Sequence, residues 1–138
     1  MKIGFTGTQK GMSKDQKRAL IFFISSPGIE EFHHGDCNGA DEQAHNIVKG
    51  TDIKIHVHPP KNPKKRSFCR DYSVIYEKKE YLDRNHSIVD MTDILLAMPS
   101  GKEEEIRSGT WATIRYARKV GKKCLIIFPD GSMKGEKN

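Results

Sequence analysis

Few residues in this chain have the types and spacing for chemistry, and many of them lie in one stretch. His33-His34-Gly35-Asp36-Cys37-Asn38-Gly39-Ala40-Asp41 follows a short apolar run, turns through two glycines and leads into a segment with Ala40, Ala44, Ile47 and Val48 at helical spacing. A strand that turns on glycine into a helix presents free backbone N–H groups and the positive end of a helix dipole, which suits an anion and phosphate above all. Gly35, Asn38, Gly39 and Ala40 allow close backbone approach, and Asp36 belongs to the same corner. Asp41 stands in the first helical turn, where it either complements the dipole or hydrogen-bonds a ribose hydroxyl. Gly7-Thr8 and Ser108-Gly109-Thr110 are two further corners of this kind. Arg84, next to Asn85, is the candidate cation, because a guanidinium makes bidentate contacts to phosphate that lysine cannot. Each position also has an ordinary reading: a tight turn, a dipole-complementing aspartate, a surface arginine.

Other residues invite sharper chemistry with less support. Cys37 at a helix start could have a lowered thiol pKa and act as a nucleophile, but small-residue packing explains it as well. His33, His34 and Asp36 are too crowded to form a ligand motif, and no ordered Cys/His set accompanies them. His56 and His58 have the i, i+2 spacing of metal ligands, but the polar face of an edge strand is the preferred reading. His45 is expected to pack or hydrogen-bond within its helix, and Trp111 to stack a base or fill the core. No metal centre and no cofactor are expected.

The elements that must position these groups alternate. Residues 2–6, 31–34, 52–58, 93–98 and 123–128 read as strands, with helices between them. Ser13 with Gln16 forms a capping-box signature before Ala19, Leu20, Phe23 and Ile24. Residues 52–58 alternate cleanly, placing Ile53, Ile55 and Val57 inward and Lys54, His56 and His58 outward, as in a half-exposed edge strand. Residues 67–76 give no clear signal. The pattern implies an α/β, Rossmann-like three-layer sandwich with a mainly parallel sheet of about five strands, the first strand central. One domain is expected over residues 1–131, with 132–138 a loose tail.

Composition narrows the classes. With 36% hydrophobic and 30% charged residues the chain supports a modest core, and no apolar run reaches the ~18 residues of a membrane helix. Three widely spaced cysteines favour a reducing compartment, so a cytoplasmic location is expected. The net charge of +6, concentrated partly in Lys61, Lys64, Lys65 and Arg66, favours acidic partners.

Taken in order, the corners resemble the SLOG superfamily, which includes the Smf/DprA DNA-processing proteins and the LOG phosphoribohydrolases. The points of match are Gly7-Thr8, Gly35 to Asp41 with Ala44-His45, Arg84-Asn85 with Ile88-Val89, Ser108-Gly109-Thr110, and Pro129-Asp130-Gly131. The compact form is most similar to small single-domain bacterial and phage members. The resemblance implies a pocket for nucleotides or nucleic-acid phosphates at the carboxyl edge of the sheet, and self-association as a homodimer or higher homo-oligomer. One departure bears on activity. The phosphoribohydrolases carry a glutamate three residues after the threonine of the last corner, where this chain has Thr113. Catalysis would then fall to a carboxylate elsewhere, with Asp41 and Glu104 the candidates.

Three functions follow from these readings. The leading one is a sensor or sequestering protein for a nucleotide or nucleotide-derived signal, with no membrane partner. The second is an N-glycosidase on nucleoside monophosphates. The third is a single-stranded nucleic-acid binder using the basic run, for which Tyr72, Tyr76, Tyr81 and Trp111 are the possible stacking partners, none interleaved with the lysines.

Overall fold

The structure, a computed structural model, describes residues 1–136. The elements in chain order are β1 (Lys2–Gly7), α1 (Lys14–Ile24), β2 (Glu31–His34), α2 (Ala40–Val48), β3 (Lys54–Val57), a 3-10 turn (Pro63–Lys65), β4 (Val74–Ile75), α3 (Tyr81–Asp90), β5 (Ile94–Met98), α4 (Gly109–Val120), β6 (Lys123–Ile127) and β7 (Met133–Glu136). They build a three-layer α/β sandwich on one sheet of order β4-β3-β2-β1-β5-β6-β7. Every neighbouring pair is parallel except β6–β7. None of the described helices is long and apolar enough to cross a membrane.

The period-two alternation of each central strand divides the core. Ile3, Phe5, Phe32, Ile55, Val57, Leu96, Met98 and Ile127 pack with α1 and α2 on one face. Leu95, Ala97, Cys124 and Ile126 pack with α3 and α4 on the other. Trp111 belongs to this second cluster and is 4% exposed, so it is a core residue and not a base-stacking one. Ser13 caps α1 through the expected reciprocal pair: its hydroxyl accepts from Gln16 N–H, and Gln16 Oε1 accepts from Ser13 N–H. The buried Gln16 amide also donates to the carbonyls of Pro99 and Ile127, both at 2.9 Å, which ties α1 to the carboxyl ends of β5 and β6.

Three expectations are corrected. Among the described residues the sheet has seven strands where about five were expected. The loose tail expected from residue 132 is instead β7 as far as Glu136, while the tail's last two residues lie outside those described. A turn at Pro129-Asp130-Gly131 starts that hairpin, with Asp130 Oδ1 accepting from Ser132 N–H, and Glu136 holds it through both carboxylate oxygens on Arg118 Nε. Polar Met-Lys-Gly-Glu carries no apolar alternation, so pairing and one ion pair make this strand where periodicity is silent. The third correction concerns β3, which is not an edge. Two-residue β4 pairs outside it, and His56 and His58 are 8% and 3% exposed.

Replacing Gln16 by Leu leaves two buried carbonyls and the Ser13 N–H without partners. The expected loss is at least about 2 kcal/mol, read as a lower urea midpoint with unchanged slope. A variant within 0.5 kcal/mol of wild type, a roughly neutral surface-like change, would remove Gln16 from this role.

Candidate functional site

The carboxyl ends of β1, β2 and β5 meet where the strand order reverses, and a cavity of about 680 Å³ opens there. Gly7, Thr8, Gln9 and Lys10 wall it from the loop after β1, and Gly35, Cys37 and Asp41 from the β2–α2 corner. Asn62, Lys64 and Lys65 close one side, Tyr81, Leu82, Arg84 and Asn85 on α3 another, and residues 105–110 with Thr113 the last. Gly7, Asp41, Arg84 and Thr110, far apart in sequence, thus share one hollow.

The corner around Gly39 does not open onto it. Gly39 has φ +87°, and a Cβ there would lie 2.3 Å from the carbonyl oxygen of Gln9, so only glycine lets the β1 loop press on the start of α2. The Ala40 N–H donates to the Thr8 carbonyl at 3.0 Å. Asp41 Oδ2 accepts the N–H groups of Gly35 and Cys37, both at 3.1 Å. The anion held in this corner is the protein's own carboxylate. Of the residues expected here, Asn38, Gly39 and Ala40 are absent from the cavity wall, and so is Asp36. Asn38 is exposed, and its N–H is taken by the Lys65 carbonyl. Asp36 is fully buried at φ +58°, accepting from Arg66 Nε at 2.7 Å and from Cys69 N–H at 2.8 Å. It pins the loop behind Lys64 and Lys65, and its carboxylate is consumed in doing so.

Arg84 is likewise built in, not held out. It is 2% exposed, and Nη1 donates to the Gly35 and His58 carbonyls, the latter at 3.2 Å. Nε donates to Asn85 Oδ1 at 2.8 Å, and Nη2 lies 3.5 Å from Cys37 Sγ. The expected bidentate clamp therefore shrinks to one remaining Nη2 hydrogen. Gly35 is where this wedge needs room, since a Cβ there would meet Nη1 at 2.5 Å. Asn85 serves as the partner that aims the guanidinium.

The α4 corner has the opposite character. Ser108 caps the helix by accepting from Trp111 N–H, and the amides of Gly109 and Thr110 in the first turn lack intrahelical acceptors at the cavity wall. Lys10, Lys64, Lys65 and Arg107 line the same space, against the carboxylates of Asp41 and Glu105. Tyr81 lays its ring over Arg84, with the guanidinium carbon 4.7 Å from the centroid. Leu82 and Ile106 add an apolar rim and are 60% and 89% exposed. Lys10, Arg107 and this rim went unremarked in the sequence. The signal available was Leu82 and Arg84 on the helix that opens at Tyr81, and Ile106-Arg107 immediately before the Ser108 cap.

Two chemical candidates are withdrawn. Glu104 is not at the cavity: it accepts from Arg118 at 2.8 Å and Arg115 at 3.4 Å on the outer side of α4. Cys37 is buried, and that burial pushes its thiol pKa up, opposite to an activated nucleophile. Thr113, where a glutamate would have stood, donates its hydroxyl to the Gly109 carbonyl at 2.8 Å. Asp41 remains at the wall, with burial raising its pKa to about 6 despite the nearby Arg84 and its two N–H donors.

No protein-family model and no curated protein matches the chain. Among solved structures it is similar to the molybdenum cofactor binding protein from the phototrophic bacterium Rippkaea orientalis. There the identity is 23% over 92% of this chain and 76% of the other, with a TM-score of 0.71. It is also similar to TM1055, a structural genomics target, at 16% identity over 89% and 71% of the two chains with a TM-score of 0.62. These likenesses establish the Rossmann-like α/β fold.

The raised Asp41 pKa has a consequence for stability. A carboxyl that holds its proton more tightly folded than unfolded makes the fold less stable as pH rises from about 4 through 6, with the loss complete above that window. Asp41→Asn removes this titration while its amide oxygen still accepts both N–H groups. The stability of Asp41→Asn relative to wild type should rise by about 2.5 kcal/mol between pH 4 and pH 7.5 in paired urea titrations. A difference that stays flat with pH would show that Asp41 titrates normally.

Proposed function

We propose that the chain binds a phosphate-bearing nucleotide or nucleotide-like cofactor in the cavity at the carboxyl edge of the sheet, as a sensor or carrier that does not cleave it. The observation that carries this reading is the α4 corner. It offers first-turn amides without intrahelical acceptors to a cavity that Lys10, Lys64, Lys65 and Arg107 also line, while the α2 corner is closed by Asp41. The phosphate would sit at Gly109 and Thr110, where helix dipole and lysines act together. A flat heterocycle would lie against Tyr81, Leu82 and Ile106. A cavity of about 680 Å³ is the right size for one mononucleotide-sized ligand.

The SLOG resemblance supports this class of ligand, and so does the fold neighbour named for binding the molybdenum cofactor, which like a nucleotide joins a fused nitrogen heterocycle to a phosphate. Glycosidic cleavage is the second reading, favoured only by the carboxylates of Asp41 and Glu105 at the wall. Lys64 and Lys65 face the cavity, which favours a small ligand over a nucleic-acid strand.

Titration calorimetry against mono-, di- and cyclic nucleotides, ADP-ribose and molybdenum cofactor tests the proposal. Micromolar binding is expected for one phosphate-bearing class, with the matching phosphate-free nucleoside at least tenfold weaker. Lys10→Glu with Arg107→Glu should weaken binding a further tenfold or more. Absence of heat with every compound at millimolar concentration defeats the proposal. Release of free base, lost in Glu105→Gln, would replace it with the hydrolytic reading.

A further inference from the structure

Away from the cavity, the sheet face that carries α3 and α4 changes character at β2 and β3. Phe32, Ile55 and Val57 point to the α1–α2 side, so the alternation turns His33 and His56 to the opposite one. The two histidines are register partners, and their rings stack with centroids 4.3 Å apart. Tyr76, just beyond β4, stacks on His58 with the same 4.3 Å separation. Glu31, two residues before His33 on β2, completes the group. Its Oε1 lies 2.8 Å from His33 Nε2 and 3.5 Å from His56 Nε2. All three ligand-type atoms fall within 4.8 Å of one another.

We propose that Glu31, His33 and His56 bind one divalent transition-metal ion of the zinc class, with solvent completing the coordination. Bonds of about 2.0–2.2 Å in a tetrahedral arrangement put neighbouring ligand atoms roughly 3.3 Å apart. The observed separations are close to that, and retreat of the Glu31 carboxylate from His33 by roughly half an ångström makes the room. Glu31 is the partner free to move, being 22% exposed at its side chain where His33 is fully enclosed.

The far side of each imidazole is already prepared. His33 Nδ1 lies 2.8 Å from His58 Nε2, and His56 Nδ1 lies 2.8 Å from the Tyr76 hydroxyl. With an ion on the Nε2 atoms, each Nδ1–H has an acceptor in place, which is the outer-shell arrangement that orients ligating histidines. Without an ion, His33 Nε2–H donates to Glu31 and His58 Nε2–H donates to His33 Nδ1. Loading moves the proton from Nε2 to Nδ1 in both rings, keeps their 2.8 Å contact and leaves the proton count unchanged. Burial also holds His33 and His56 below the ordinary histidine range, in the neutral form that coordinates. Lys2 and Lys54 are the nearby cations that work against the ion, so a carboxylate among the ligands matters.

A second group, His34, His45 and Cys69, is as compact but committed. The Asp36 N–H donates to His34 Nδ1, so His34 Nε2 must carry the proton it gives to His45 Nδ1. His45 Nε2–H in turn donates to the Arg70 carbonyl. Neither ring keeps a lone pair for an ion, and burial pushes the Cys69 thiol up to about 12.

The test uses the full chain without a histidine tag, stripped with chelator and titrated with zinc chloride and cobalt chloride. One zinc ion per chain, a rise in Tm and visible cobalt bands without a thiolate charge-transfer band are expected. Glu31→Gln and His56→Gln should each weaken zinc binding at least tenfold, with Cys69→Ser unchanged. No binding at millimolar zinc, wild-type affinity in both ligand variants, or a thiolate band overturns the proposal. Should either ligand variant fail to fold by circular dichroism, long-range ¹H–¹⁵N spectra of wild type decide. Zinc must shift His33 and His56 Nε2 and move the His33 proton to Nδ1, and unmoved rings refute the site.

Discussion

The arrangement on which the cavity depends is the burial of Asp41 against Arg84 at the end of β2. One carboxylate oxygen gathers the Gly35 and Cys37 N–H groups, and one guanidinium gathers the Gly35 and His58 carbonyls. The N–H groups and one carbonyl of this turn, with the His58 carbonyl after β3, are thus claimed by two opposite charges near one another. Neither charge would be tolerable alone at 5% and 2% exposure, because an unpaired buried ion loses several kcal/mol of solvation that nothing returns. Burial still wins in part, as the raised Asp41 pKa shows. The pair fixes where the β2–α2 turn, the start of α3 and the loop after β3 stand relative to each other.

That constraint decides which corner can receive a guest. A glycine-rich turn into a helix is a generic anion site, and two of the three such corners, those opening α2 and α4, lead straight into their helices. At the first, Gly39 packs on Gln9, Ala40 donates to Thr8, and Asp41 serves as an internal anion. At the second, Ser108 caps only Trp111 N–H, and no carboxylate follows in the first turn. Asp41 is the second residue of α2, where α4 has Thr110, and its carboxylate completes the closure that the Gly39 and Ala40 contacts begin. Arg107 precedes the cap of the second corner, and Lys10, Lys64 and Lys65 line the same cavity from the other loops.

The fold was legible because burial writes a periodic signal. Ile94 to Met98, apolar on both faces, and the Ser13–Gln16 box announced themselves, and the strand order followed from alternation of strands and helices. What stayed hidden has no periodicity. β4 is two residues long, and β7 is held by main-chain pairing and the Arg118–Glu136 contact. Residue type located the cavity wall at Gly7, Thr8, Gly35, Arg84 and Ser108 to Thr110. It could not tell a charge offered to solvent from one spent inside. Asp36 and Glu104 looked as available as Asp41, yet one is paired with Arg66 and the other with Arg115 and Arg118.

The histidines show the same limit from the other direction. Alternation in residues 52–58 correctly separates Ile55 and Val57 from His56 and His58, but it cannot say whether the polar side meets water. Here β4 and Tyr76 cover it, and four aromatic rings stack where an edge was expected. Buried imidazoles must settle every nitrogen as donor, acceptor or ligand, since none can fall back on solvent. Around His34 and His45 the backbone settles all of them. Around His33 and His56 it leaves two nitrogens turned toward one carboxylate, with both outer nitrogens already supported. Two clusters of equal compactness therefore differ in chemistry because of a single main-chain N–H, that of Asp36.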